Sequence, residues 1–133
     1  MANVKFQRQE LEKHIKLSLD VIEKINLFGV PIESINDKEI EVEILPNRPD
    51  LLSMQGFIRA LKSFLGKEKG LRKYKIHKPE KDYKIKIEKE VKDIRPYTVC
   101  TIAKNLSLNN ERIKELIDLQ EKLHLTVGRK RKK

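Results

Sequence analysis

The sequence predicts an α+β chain: a small helix-hairpin-helix domain, followed by the first strands and the helix of a second α+β domain. Three observations carry this. Glu39-Ile40-Glu41-Val42-Glu43-Ile44 alternates acidic and apolar residues, the period-2 pattern of a half-buried strand. Residues 53–65 place Met54, Ile58, Leu61 and Leu65 on one stripe of a helix. Beyond a lysine-rich stretch, Tyr83, Ile85 and Ile87 alternate with Lys84, Lys86 and Glu88, a second strand pattern with one charged face.

From the N-terminus, residues 7–17 are expected as a short helix, with Leu11 and Ile15 four apart. Ser18 then caps a second helix whose Leu19, Ile22 and Ile25 face inward before Gly29 ends it. Residues 31–35 and 38–44 form a hairpin across Asn36-Asp37, a pair that tolerates left-handed geometry. Pro46 and Pro49 end the strand, because each lacks an N–H and pushes the residue before it towards extended geometry. Ser53 is the expected N-cap of the next helix, with Leu52 and Phe57 placed as a hydrophobic staple and Gly66 able to take positive φ at its end. Residues 1–72 make up this first, winged-helix-like domain.

Residues 73–82 are expected as a connector, lysine-rich and punctuated by Pro79. Residues 83–133 form the second, incomplete domain. Its second strand, residues 97–104, has Cys100 and Ile102 on one side and Val99 and Thr101 on the other, as if covered on both faces. Asn109 or Asn110 caps the last helix, whose apolar stripe is Ile113, Leu116, Ile117, Leu123 and Val127, and Gly128 ends it. Two strands and a helix support themselves poorly, so this part is expected to pack on the first domain or pair with another chain.

The chain has 133 residues, 38% of them charged and 38% apolar, and no tryptophan, so its core rests on Ile, Leu and Val. One cysteine, Cys100, excludes an internal disulfide framework and suits a reducing compartment. No apolar run approaches the ~20 residues of a membrane span and no signal-peptide core is present, so the expectation is a soluble cytoplasmic protein without a membrane partner. The net charge of +10 points to a polyanionic neighbour. Half of it comes from Arg129, Lys130, Arg131, Lys132 and Lys133, a terminal basic run that adds salt-dependent, sequence-blind affinity for nucleic acid if it is exposed.

Chemistry is sparse. His14, His77 and His124 are far apart, and no spacing matches a zinc ligand set or a phosphate-cradling glycine loop, so no metal site and no catalytic residue is expected. His124 suits a helix C-terminus, and Glu39, Glu41 and Glu43 suit a solvated strand face. The corner after the strand is the candidate site: Asn47, Arg48, Asp50 and Ser53. Arg48 and Asp50 flank Pro49 and are placed either to form a structural ion pair or, with Gln55 and Arg59 nearby, to let Arg48 meet a phosphate.

Leu45-Pro46-Asn47-Arg48-Pro49-Asp50-Leu51-Leu52-Ser53, followed by Gly56, Arg59, Ala60 and Leu61, resembles the N-terminal domain of the phenylalanyl-tRNA synthetase β subunit in its archaeal and eukaryotic form. Lys92-Asp93-Ile94-Arg95-Pro96-Tyr97, then the run from Leu116 to His124 and the basic end from Gly128, resemble the segment where that subunit enters its editing domain. The resemblance covers essentially the whole chain, although the family's subunit is several times longer. It implies that residues 83–133 begin an editing-type, tRNA-binding domain. It also implies an α₂β₂ partner set of α subunit and remaining β, with tRNA(Phe) as substrate, and ATP and magnesium serving the whole enzyme with no cofactor held by this chain.

The expected function is therefore a scaffold portion of phenylalanine–tRNA ligase, non-catalytic by itself. Two alternatives remain open. One is a stand-alone basic nucleic-acid-binding module using Arg48, Arg59 and residues 129–133; the other is a homodimeric interaction protein that completes its sheet across two chains.

Overall fold

In the computed structural model, residues 2–71, 73–80 and 82–132 are described. The elements are β1 (Ala2–Gln7), α1 (Arg8–Glu12), α2 (Leu19–Leu27), β2 (Ile32–Ile35), β3 (Glu39–Ile44), α3 (Met54–Phe64) and α4 (Asn110–Leu125). Single 3-10 turns lie at Pro49–Leu51 and Lys89–Val91. The described residues thus form a small α+β fold with four α-helices and one three-stranded antiparallel sheet, ordered β1-β3-β2. Two compact units are present, Met1–Gly70 with Leu108–Lys133, and Leu71–Ser107.

The hairpin forms as its pattern requires. Ile40, Val42 and Ile44 are buried, Glu39, Glu41 and Glu43 lie on the other face, and Ile35 pairs with Ile40. Asn36 makes the turn by accepting the backbone N–H groups of Lys38 (2.8 Å) and Glu39 (2.9 Å) on Oδ1. A register shift between Ile32 and Ser34 bulges the β2 edge.

The N-terminus departs from expectation. Residues 2–7 are a strand, with Val4 and Phe6 buried and Asn3, Lys5 and Gln7 exposed, and only Arg8–Glu12 of the expected first helix is helical. The reason is tertiary: β3 offers an edge on which Val4 meets Val42 and Phe6 meets Ile40 across the ladder. The Glu face of β3 is also more than solvated, since Lys5 Nζ reaches Glu39 Oε1 at 2.9 Å and Glu41 Oε2 at 3.6 Å. The hydrogen bond and charge of Glu39 raise the Lys5 pKa above its ordinary value.

In α2, Ser18 Oγ accepts the N–H of Val21, as expected of an N-cap. Ile25 is buried as expected and Ile22 is half-buried, but Leu19 is 81% exposed and Val21 is buried instead. The core joins Val4, Phe6, Leu11, Ile15 and Ile25 to the β3 residues and to Leu51, Leu52, Phe57, Ile58 and Leu61.

The two strands expected within residues 83–104 are absent among the described residues, and every described residue from 71 to 107 is exposed. A two-stranded piece without a third strand or a helix to cover it buries too little apolar area to offset the cost of ordering it. Cys100, expected in an apolar strand, is exposed. α4 does form, capped by Asn109, whose Oδ1 accepts the Arg112 N–H at 2.9 Å.

Candidate functional site

The corner between β3 and α3 is built from backbone outward. The chain turns at residues 45–48, where the Arg48 N–H donates to the Leu45 carbonyl at 3.0 Å. Pro49 then opens a 3-10 turn, closed by the Leu51 N–H on the Arg48 carbonyl (3.1 Å), which buries Leu51 and Leu52. Ser53 has extended backbone geometry, and its Oγ accepts the Gly56 N–H at 3.1 Å, capping α3. Leu52 and Phe57 are both buried, and the Phe57 ring lies 4.9 Å from that of Phe6, so the staple residues anchor the helix to β1.

Arg48 and Asp50 meet in a two-pronged pair: Nε donates to Oδ1 at 3.0 Å and Nη2 to Oδ2 at 2.9 Å. The Arg48 guanidinium also stands 5.1 Å over the Phe28 ring, which packs against Phe64. The pair thus ties the corner to the end of α2. Hydrogen bonding by Arg48 holds the Asp50 carboxyl below its ordinary range, against partial desolvation and with added attraction from Arg59. Asp50 in turn raises the Arg48 pKa. Asn47 lies exposed in the turn, and Arg59 is exposed on α3.

Gly56 was legible only as a motif letter, and Phe28 was not singled out at all. A Cβ on Gly56 would sit 1.9 Å from the Asp50 carbonyl oxygen, so the 3-10 turn rests on the first turn of α3 at a distance that excludes a side chain. A glycine three places after an N-cap serine, on the buried side of an amphipathic helix, is the sequence sign of such an approach.

The basic end lies after α4. Arg129, Lys130 and Arg131 have φ of 48°, 56° and 63°, and the Arg131 N–H donates to the His124 carbonyl at 3.2 Å, closing the helix end. Arg131 Nη2 also donates to Glu121, at 2.7 Å to Oε2. His124 Nδ1 donates to the Gln120 carbonyl at 2.8 Å. Lys133, named with this run, lies outside the described residues. Among the described residues no group of three or more His, Cys, Asp or Glu is placed to hold a metal, and no helix is long and apolar enough to cross a membrane.

No family model matches the chain. It is 41% identical over 125 residues to the phenylalanine–tRNA ligase β subunit of Archaeoglobus fulgidus, covering 93% of this chain and 22% of that protein. It is 43% identical over 125 residues to that of Sulfolobus acidocaldarius, covering 92% and 22%. A solved N-terminal fragment of the phenylalanyl-tRNA synthetase β subunit from Pyrococcus horikoshii superposes with a TM-score of 0.80 at 33% identity, over 98% of this chain and 39% of the fragment. The chain is a homologue of the N-terminal region of archaeal phenylalanine–tRNA ligase β subunits. It spans 20% to 24% of the length of the curated β subunits it matches.

Within this synthetase β-subunit homologue, α4 meets the rest of its unit through residues outside the expected apolar stripe. Leu119 packs on the core, Gln55 of α3 donates to Glu115 at 3.5 Å, and Thr126 lines a small apolar cleft with Ala2, Pro46, Pro49 and Leu52. The expected stripe is left half-exposed: Ile113 is 43% exposed and Leu116 and Ile117 are each 54% exposed.

Proposed function

We propose that the chain is the N-terminal, non-catalytic part of a phenylalanine–tRNA ligase β subunit, acting as a winged-helix-like scaffold unit and leading through residues 83–133 into an editing domain. The whole enzyme would be a cytoplasmic α₂β₂ assembly that charges tRNA(Phe) with phenylalanine, using ATP and magnesium bound elsewhere than in this chain. The observation that carries the reading is the corner: the Arg48–Asp50 pair and the Gly56 contact spend the most chemically specific residues of the matched motif on geometry. A joint that fixes a strand against a helix suits a scaffold.

The half-exposed stripe of α4 also supports the reading, since a contiguous apolar helix face calls for a covering surface. The experiment is reconstitution. Tagged chain mixed with a separately produced α subunit and the remainder of an archaeal β subunit should co-purify in a stoichiometric complex with restored phenylalanylation of tRNA(Phe). Recovery of the chain alone under native conditions would overturn the assignment.

A further inference from the structure

One stripe of α4 is apolar, exposed and without charge. Ile113, Leu116, Ile117, Gln120 and Leu123 fall at spacings that put them on the same side of the helix, and the four apolar members are 38% to 54% exposed. The residues by which α4 meets its own unit, Glu115, Leu119 and Thr126, lie roughly a third of a turn round the helix from that stripe. Charge is also divided along the helix. Residues 110–119 hold three acidic and two basic side chains, whereas residues 121–132 hold one acidic and five basic.

We propose that this stripe pairs with the same stripe of a second copy of the chain, the two α4 helices running antiparallel about a two-fold axis near residue 118. A two-fold contact needs only one patch that fits itself, and an uncharged aliphatic stripe fits its own copy. Gln120 would lose its hydrogen bonds to water against a wholly aliphatic partner, whereas an antiparallel copy brings the two Gln120 amides within about one helical turn of each other. The charge division selects the direction. Antiparallel pairing sets the acidic-leaning first half of each helix beside the basic end of the other, and packed helix axes stand about 8–10 Å apart, within a Debye length. Parallel pairing would set five basic residues of each copy side by side. The inference goes beyond the synthetase reading, which asks only that some surface cover this face, and it stands on the stripe itself.

Mass against concentration tests the pairing. Two facing helices of 16 residues make an interface at the small end of the stable range, so a dissociation constant on the order of 10 μM is expected. Sedimentation equilibrium of the full chain from about 1 to about 200 μM should give a mass rising from 15.7 kDa towards twice that value. Replacing Leu116 and Ile117 together by Glu should weaken association about 100-fold and hold the chain at the monomer mass, because the charges would be buried against an apolar surface. Leu125→Glu, on the same helix and equally exposed but off the stripe, should leave association unchanged. Helical circular dichroism of each variant confirms an intact fold.

Direction is read by cross-linking in a Cys100→Ser background, with Ile113→Cys and Leu123→Cys made as separate chains, mixed, and treated with a short bismaleimide. Antiparallel pairing about residue 118 sets Ile113 opposite Leu123 of the second copy, so mixed cross-links should outnumber those between like positions. Four results would overturn the proposal: a monomer mass at every concentration, a dimer that survives the double Glu replacement, cross-links chiefly between like positions, or a dimer that dissociates when the remainder of an archaeal β subunit is added and covers the stripe instead. The synthetase reading fails on a different readout, the absence of co-purification with α and remaining β, so the two failures are distinguishable.

Discussion

Gly56 and Asp50 set the geometry of the corner from opposite sides of one contact. Because a methyl group at position 56 would meet the Asp50 carbonyl at 1.9 Å, Gly56→Ala should destabilise the fold by about 2–3 kcal/mol, despite the ~1 kcal/mol that alanine adds to helix propensity. Urea unfolding followed by circular dichroism checks this; an unchanged or raised midpoint would show that the turn yields freely. The Arg48–Asp50 pair is a smaller, pH-dependent contribution. Its folded carboxyl titrates below the unfolded value of about 4, so the stabilisation is complete above that value and is lost as pH falls through the folded one. With the Asp50 side chain 39% exposed, solvent screening keeps the contribution under about 1 kcal/mol. Asp50→Asn should therefore lower stability by up to that amount at pH 7, and the gap to the parent should close as the pH drops below about 4. Two prolines flanking Arg48, followed by an aspartate, made the pair legible in the sequence. The Phe28 ring beneath it was not, because 20 residues separate it from Arg48 and only the packing of α2 brings them together.

At the scale of elements, caps were the most legible features. Ser18, Ser53 and Asn109 each accept the backbone N–H three residues ahead, an interaction written entirely in local sequence. Ser53→Ala should cost about 1 kcal/mol and Ser53→Asp should retain most of the stability, a contrast that hydrogen exchange in the first turn of α3 resolves from a global effect. Which face of a helix turns inward was less legible. In α2 the buried pair is Val21 and Ile25, and in α4 it is Leu119 that packs, while Ile113, Leu116 and Ile117 stay half-exposed. Periodicity identifies an amphipathic stripe, yet the neighbour that covers it is set by tertiary packing. β1 illustrates the same limit: Val4 and Phe6 alternate over too short a run to outweigh a helical reading, and the free edge of β3 decides the matter.

Over the whole molecule, apolar burial and charge are divided along the chain. The core draws on residues 4–61, whereas residues 71–107 contribute no buried residue among those described and carry 11 Lys and Arg. Limited trypsin digestion should therefore cut first between Lys73 and Lys104 and leave α3 and the sheet intact, as read by mass spectrometry of the early fragments; first cuts at Lys24 or Lys62 would contradict this division. The sequence by itself determined the hairpin, the proline-braced corner, the capped helices and the family likeness, because turn chemistry, caps and period-2 alternation act over a few neighbouring residues. Tertiary structure alone decided that the N-terminus is a strand, that Phe28 lies under Arg48, that Gly56 must lack a side chain, and that the alternating segments at 83–104 stay unpaired. Each of those outcomes depends on whether a distant surface is present to be covered, and no local pattern encodes that.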